Sequence, residues 1–265
     1  MRTPRVFVLG LIAAFGCGEG KAPPAPPPAA PPVVATPPKT DTPPPKEATA
    51  PAAGTGVLAG AVKIVGPIPR RAIVRMDAEP KCSSKHPVLP RSEEVEADDK
   101  GFVRWAVVYV KSAVPGSFPV PTQPVVLDQK GCRYEPHVFG VRVGQPVLIK
   151  NSDDLLHNVH ALPFNSKEFN IGQQPGAQDT RDFASHEVVV KIKCDIHPWM
   201  GAWAAVLDHP FFAVTDEKGQ YEIKGVPAGK YTVEVWQERY KSSSKDVEVK
   251  DKTTLDFELT EQKSQ

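Results

Sequence analysis

Apolar and polar positions along residues 57–236 fall into short runs with the period of a β-strand. Val57-Leu58-Ala59-Gly60-Ala61-Val62-Lys63-Ile64-Val65, Phe102 to Val110, Val138 to Ile149, Glu187 to Ile192 and Tyr231 to Trp236 are rich in β-branched or aromatic residues. In the last run Tyr231, Val233 and Val235 share one face while Thr232 and Glu234 take the other, which is the alternation of a half-buried strand. Gly, Pro, Asp and Asn punctuate the runs, as in a β-sandwich. No stretch keeps a 3.6-residue period, so the pattern predicts an all-β fold.

The N-terminal segment breaks this pattern. Residues 1–17 carry a basic start, the apolar run Val6 to Phe15, and then Gly16-Cys17. That is the layout of an export signal, and the run is shorter than the roughly 20 residues of a membrane-spanning helix. Ala14-Phe15-Gly16-Cys17 resembles a bacterial lipobox, with Ala14 in place of the usual leucine and a bulky Phe15. The resemblance implies lipidation at Cys17 and a membrane-tethered protein of the periplasm or cell envelope; ordinary secretion is the alternative. Residues 18–56 then hold thirteen of the 30 prolines and almost no large apolar side chain. Such a stretch cannot bury enough surface to offset its ordering entropy and is expected to be a disordered linker. At about 3.1 Å per residue it would reach roughly 120 Å fully extended, which suits a tether.

About residues 57–262 remain for folding, enough for two small domains or one elaborated domain. The formal charge is +1, with acidic and basic residues interspersed, so nothing argues for nucleic acid or an anionic surface as partner. A monomer is expected.

The chemistry concentrates in Lys193-Cys194-Asp195-Ile196-His197-Pro198-Trp199-Met200, directly after the strand-like run Val188 to Ile192. A blue-copper centre takes two imidazoles, a thiolate and a weak axial thioether. Cys-x-x-His-x-x-Met supplies three of these from one tight loop, and Asn151-Ser152-Asp153-Asp154-Leu155-Leu156-His157-Asn158-Val159-His160 supplies histidines for the fourth. Zinc would favour a further Cys or His over Met200. The absence of Cys-x-x-Cys-His excludes covalent c-type haem.

These residues resemble the cupredoxins, and amicyanin most closely, over roughly Pro124 to Asp208. The resemblance implies a Greek-key sandwich in which His157, Cys194, His197 and Met200 bind one type 1 copper ion. His160 is then a packing or hydrogen-bonded histidine, and Asn158 ties the two ligand loops together. Phe212 to Ile223 and Val226 to Tyr231 resemble a carboxypeptidase regulatory-like (transthyretin-like) β-sandwich, with turns at Asp216 to Gly219 and Pro227 to Gly229 read as hairpins joining three strands. Gly56 to Val62 resembles the opening strand of the same module. The wider chain resembles bacterial plastocyanin-like proteins that combine both, on Leu127 to Cys132, His157 to His160, Cys194 to His197 and Asp208-His209-Pro210. The boundaries expected are 57–121 for the first part of the regulatory-like sandwich, 122–208 for the copper domain inserted in it, and 209–262 for its last strands. Two complete domains in sequence are the alternative.

With Cys17 and Cys194 assigned, Cys82 and Cys132 remain, and an oxidising compartment favours a disulfide between them. A second metal site built from Cys82, His86, Cys132 and His137 competes with that pairing. His186 and His209 read as surface or structural residues.

Four protein ligands around one copper leave no position for a substrate, and no paired His-x-His segments, Ser-His-Asp arrangement or P-loop occurs. The expected function is therefore one-electron transfer to protein redox partners rather than enzyme catalysis. His197 is expected at the surface beside an apolar Trp199, which would make this loop the electron port. The alternatives are copper trafficking or storage, and a carbohydrate- or protein-binding sandwich in which copper is incidental.

Overall fold

A computed structural model describes residues 54–261; the signal segment, Cys17 and the proline-rich run lie outside the described residues. The N-terminal part contributes β1 (Gly56–Ile64), α1 (Pro80–Ser83), β2 (Glu96–Ala97), β3 (Val103–Arg104) and β4 (Val107–Val110). The middle contributes β5 (Val125–Gln129), β6 (Tyr134–Glu135), β7 (Val138–Arg142), β8 (Val147–Asn151), β9 (His157–Leu162), β10 (Phe169–Gln173), β11 (Gln178–Arg181), β12 (Glu187–Lys193) and β13 (Gly201–Leu207). The C-terminal part adds β14 (Phe212–Val214), β15 (Gln220–Val226), β16 (Gly229–Trp236), β17 (Ser243–Val249), β18 (Lys252–Thr254) and β19 (Phe257–Leu259). No helix among the described residues is long and apolar enough to cross a membrane.

The middle strands form one sandwich. Its sheets run β10-β9-β12-β13-β7 and β11-β8-β5-β6, and the chain crosses between them from β8 to β9, β10 to β11 and β11 to β12, as in a Greek key. Phe139, Val141, Val147, Ile149, Val159, Val190 and Ile192 face each other across its core. The run Val138 to Ile149, continuous in sequence, is broken by a turn at Gly144 (φ +73°), so that β7 and β8 approach this core from opposite sheets.

Apart from β2 and β3, which pair with each other, the remaining strands form the second sandwich from sheets β15-β1-β18, with β19 also on β1, and β14-β4-β16-β17. Leu58, Val62, Val108, Ile223, Val233 and Phe257 fill its core. Strands from both ends of the chain therefore build this sandwich around the middle one: β1 pairs with β15 and β4 with β16. The turns at Asp216 to Gly219 and Pro227 to Gly229 are not hairpins. Each carries the chain from one sheet to the other, because β14 pairs with β4, β15 with β1, and β16 with β4 and β17. The apolar faces of these strands meet by stacking across the core instead of lying side by side in one sheet.

β4 is buried at all four positions, which strict alternation does not predict. Val108 and Val110 face the second sandwich, while Val107 and Tyr109 join Val138, Ala205 and Leu207 in a third core between the two sandwiches. A strand covered on both faces loses its polar side. Gly140 in β7 belongs to the same contact, since a Cβ there would lie 2.1 Å from the Phe212 ring. The run Phe102 to Val110 is split by Trp105 (φ 67°), which turns the chain so that β3 pairs with β2 and β4 enters the buried sheet.

Candidate metal centre

The site forms where β9, β12 and β13 meet at one end of the middle sandwich. β12 and β13 pair up to Lys193 opposite Gly201, which closes residues 194–200 into a tight loop. Cys194 N–H donates to the Met200 carbonyl (3.2 Å), Met200 N–H to the His197 carbonyl (2.9 Å), and His197 N–H to Cys194 Sγ (3.3 Å). The adjacent pairing of Lys193 with His160 brings the start of β9, with His157, to the same end.

The ligating atoms of His157, Cys194 and His197 lie within 4.8 Å of one another. The two Nδ1 atoms are 2.9 Å apart, and Cys194 Sγ is 3.7 Å from His197 Nδ1. All three side chains are buried, and Met200 is buried in the same core cluster as Cys194. Two convergent imidazoles, a thiol and a neighbouring thioether form a donor set of mixed softness that fits copper. Burial pushes the Cys194 thiol up, but the His157 ring and surrounding N–H groups outweigh it and hold the thiol below its ordinary value. Burial and the neighbouring His157 both lower His197, which favours the neutral ring that can bind a metal.

Asp153 orients His157. Its carboxylate accepts from His157 Nε2 (2.9 Å) and from the successive N–H groups of Gly131 (2.8 Å) and Cys132 (2.7 Å). Gly131 and Cys132 both have positive φ (61° and 54°), the backbone turn that aims two N–H groups at one anion. Burial pushes the Asp153 carboxyl up, and His157 with these N–H groups brings it down to about 2. Nε2 is thus engaged by the carboxylate, and Nδ1 is the nitrogen aimed into the cluster, 2.9 Å from His197 Nδ1. Sequence reading did not assign Asp153 a role; its position four residues before His157 was the available signal.

Asn158 Oδ1 accepts from Asp195 N–H at 2.6 Å, joining the β9 end to the Cys194 loop. His160 faces away from the cluster, with Nδ1 2.9 Å from Asp195 Oδ2 and Nε2 2.7 Å from Glu168 Oε1. Cys82 and Cys132 are joined as a disulfide, so neither offers a thiolate and the second metal site does not exist. His86 instead lies 2.8 Å from the Gly131 carbonyl, and His137 bridges the Gly201 carbonyl (3.1 Å) and Glu238 (2.8 Å). His209 is structural, its Nε2 donating to the Val110 carbonyl (2.8 Å), and His186 lies 3.5 Å from Asp208 near the surface.

One expectation is corrected. His197 is only 3% exposed, so its ring is largely shielded from solvent. A strap through α1 packs on the same core: Met76 and Cys82 are fully buried in the cluster that holds Cys194 and Met200. The disulfide to Cys132 and the Lys85 ammonium against Asp153 (3.5 Å) and Asp154 (2.5 Å) pin it down. Trp199 N–H donates to the Cys132 carbonyl (3.1 Å), and its side chain is half-buried.

Fold and site together define an all-β protein of two packed sandwiches, one of which encloses a buried donor cluster of two histidines and a cysteine. Residues 206–260 match the Carboxypeptidase regulatory-like domain family. No curated protein matches the chain. Solved structures similar to part of it include a copper-containing nitrite reductase from Thermus scotoductus SA-01, at 19% identity and TM-score 0.32 over 37% of this chain and 26% of that one. A purple cupredoxin from Nitrosopumilus maritimus matches at 23% identity and TM-score 0.27, over 31% of this chain and 98% of its own. A mutant amicyanin in its Cu(I) form matches at 21% and 0.29, over 37% and 97%. At these values the likenesses carry no argument about function.

Proposed function

We propose that this chain is an exported type 1 copper protein that carries single electrons between protein partners, with His157, Cys194, His197 and Met200 as its ligands. The observation that carries the reading is the burial of two imidazole nitrogens and a thiol within 4.8 Å of one another beside a buried methionine. Copper held there would supply one-electron exchange between its cuprous and cupric states.

The protein's own residues hold that donor set in place. Asp153 fixes the ring of His157, hydrogen bonds within the loop fix Cys194 and His197, and burial limits their contact with water. A site already arranged for both oxidation states needs little rearrangement on electron transfer, whereas a copper-delivery protein must open its site to an acceptor. The disulfide-pinned strap favours retention.

In this reading residues 122–208 are the copper domain, 57–121 and 209–262 supply the regulatory-like sandwich, and Cys17 is a lipid anchor in the periplasm or cell envelope. The copper-loaded protein is expected to be intensely coloured and to give reversible voltammetry with its metal retained. A colourless protein that prefers zinc would remove the reading, and rapid surrender of Cu(I) to a moderate chelator would replace it with trafficking.

A further inference from the structure

With His197 only 3% exposed, a second approach to the centre comes into play. A cleft of about 540 Å³ runs along the other side of the 194–200 loop, and Cys194, Met200 and Trp199 contribute to its wall. Val74 and Arg91 also line it, and its other charged residues are mixed in sign, with Glu93, Glu94, Asp195 and Glu238 among them. At Arg91 the cleft meets a shallow groove lined by Arg70, Arg71, Arg75 and Arg91, with no carboxylate in its lining.

These guanidinium groups are not equally neutralised. Arg71 lies 3.2 Å from Glu96, and Arg75 only 3.7 Å from an exposed Asp77. Arg70 and Arg91 are exposed and form no ion pair among the described residues. Ile73, 51% exposed, sits among them. The fold thus adds Arg91 to three arginines already close in sequence, Arg70, Arg71 and Arg75, and makes one positive patch with an apolar centre beside the cleft that reaches the metal ligands.

We propose that this arginine groove and the adjoining cleft are the docking surface for an acidic redox protein, and that electrons pass through the Cys194 and Met200 side of the centre. The inference rests on the electron-carrier reading above. Complementary charge at such a patch raises encounter rates by about 10- to 1,000-fold and weakens as salt screens it. A surface already crowded with arginine favours carboxylate-bearing partners, which it can grip in paired hydrogen bonds. The groove's continuity with the metal-side cleft favours a redox protein over a membrane surface.

The test uses the full chain loaded with Cu(I) and the redox-inert trianion hexacyanocobaltate(III). Backbone amide signals of Ala72, Ile73 and Ser92 are expected to shift on titration, and the shifts to vanish in about 1 M salt, where screening acts within about 3 Å. They are also expected to vanish in the double variant Arg70→Glu, Arg75→Glu. Oxidation of the Cu(I) protein by hexacyanoferrate(III), one electron passing from copper to iron with no proton moved, should slow by about tenfold in that variant. Oxidation by the cationic tris(phenanthroline)cobalt(III) should not slow, and the control Lys218→Glu should change neither rate. Shifts centred on Leu156 and Ile196, or a hexacyanoferrate rate blind to the double variant, would overturn the docking surface while leaving the carrier reading intact. Flotation with phosphatidylglycerol vesicles that is lost in the variant, at unchanged oxidation rates, would reassign the patch to a membrane. Failure to exchange electrons with either reagent would remove the carrier reading and the docking surface together.

Discussion

The Asp153 carboxylate takes a hydrogen bond from His157 Nε2 at 2.9 Å while two backbone N–H groups hold it from behind. The ring is thereby fixed in one tautomer by a carboxylate that is itself immobile, and such outer partners commonly contribute 10- to 100-fold to metal affinity. Asp153→Ala should weaken copper binding by about that factor in competition with a chelator of known affinity. The same substitution removes the anchor for the Gly131 and Cys132 N–H groups, so unfolding should be measured alongside. The conservative Asp153→Glu should restore part of the affinity if orientation is the cause.

The two histidines of β9 separate the ligand assignment cleanly. His157→Ala should abolish the visible spectrum of the copper-loaded protein, as should Cys194→Ser, because oxygen is a poor substitute for a soft thiolate. His160→Ala should leave the spectrum essentially intact, since its nitrogens face Asp195 and Glu168 and not the cluster. Loss of colour in His160→Ala alone would move the ligand by three positions.

Removing the Cys82–Cys132 link, which spans 50 residues, should destabilise the protein by about 4 kcal/mol in the chain-entropy account. Urea unfolding of the Cys82→Ala, Cys132→Ala variant measures this. That link pins the strap to the core that holds Cys194 and Met200, so the variant should also release Cu(I) to a chelator faster than the parent. Equal release rates would show that the strap does not gate the site.

His137 joins the two sandwiches, with its rings of contact reaching Gly201 beside Met200 and Glu238 after β16. Burial pushes its pKa down, but the hydrogen bond and charge of Glu238 outweigh burial and raise it above the ordinary histidine value. A raised folded-state pKa means the stabilisation is complete below about pH 6.5 and is lost as pH rises through the folded value. Thermal unfolding should therefore show a decline in stability on that rise, which Glu238→Gln removes. At low pH the variant should be less stable by about 2 kcal/mol, the scale of a hydrogen bond between charged groups.

Much of the donor set was legible in the sequence because its elements are local. Cys194, His197 and Met200 fall within one loop, and a loop of seven residues between paired strands brings its ends together whatever surrounds it. His157 was legible through resemblance, but its distance from Cys194 depends on β9 lying beside β12, a pairing between residues some 30 positions apart that periodicity alone does not specify. The strand runs were also visible, since alternation is a local property. Their breaks at Trp105 and Gly144 were not, because a continuous apolar run reads the same whether it stays in one sheet or passes to the opposite one.

By itself the sequence determined the all-β class, left Cys82 and Cys132 open between a disulfide and a second metal site, and singled out His157, Cys194 and His197, which the fold gathers into one cluster. Tertiary structure alone decided what covers and orients them. The strap that packs on the core of Cys194 and Met200 comes from more than 100 residues earlier in the sequence, and the role of Asp153 depends on the backbone turn at Gly131 and Cys132. The arginine patch likewise exists only where the fold collects residues 70–75 and Arg91 onto one surface. Short-range pattern sets which face of a strand is apolar, but burial, electrostatic focusing and ring orientation are sums over neighbours that only the folded chain brings together.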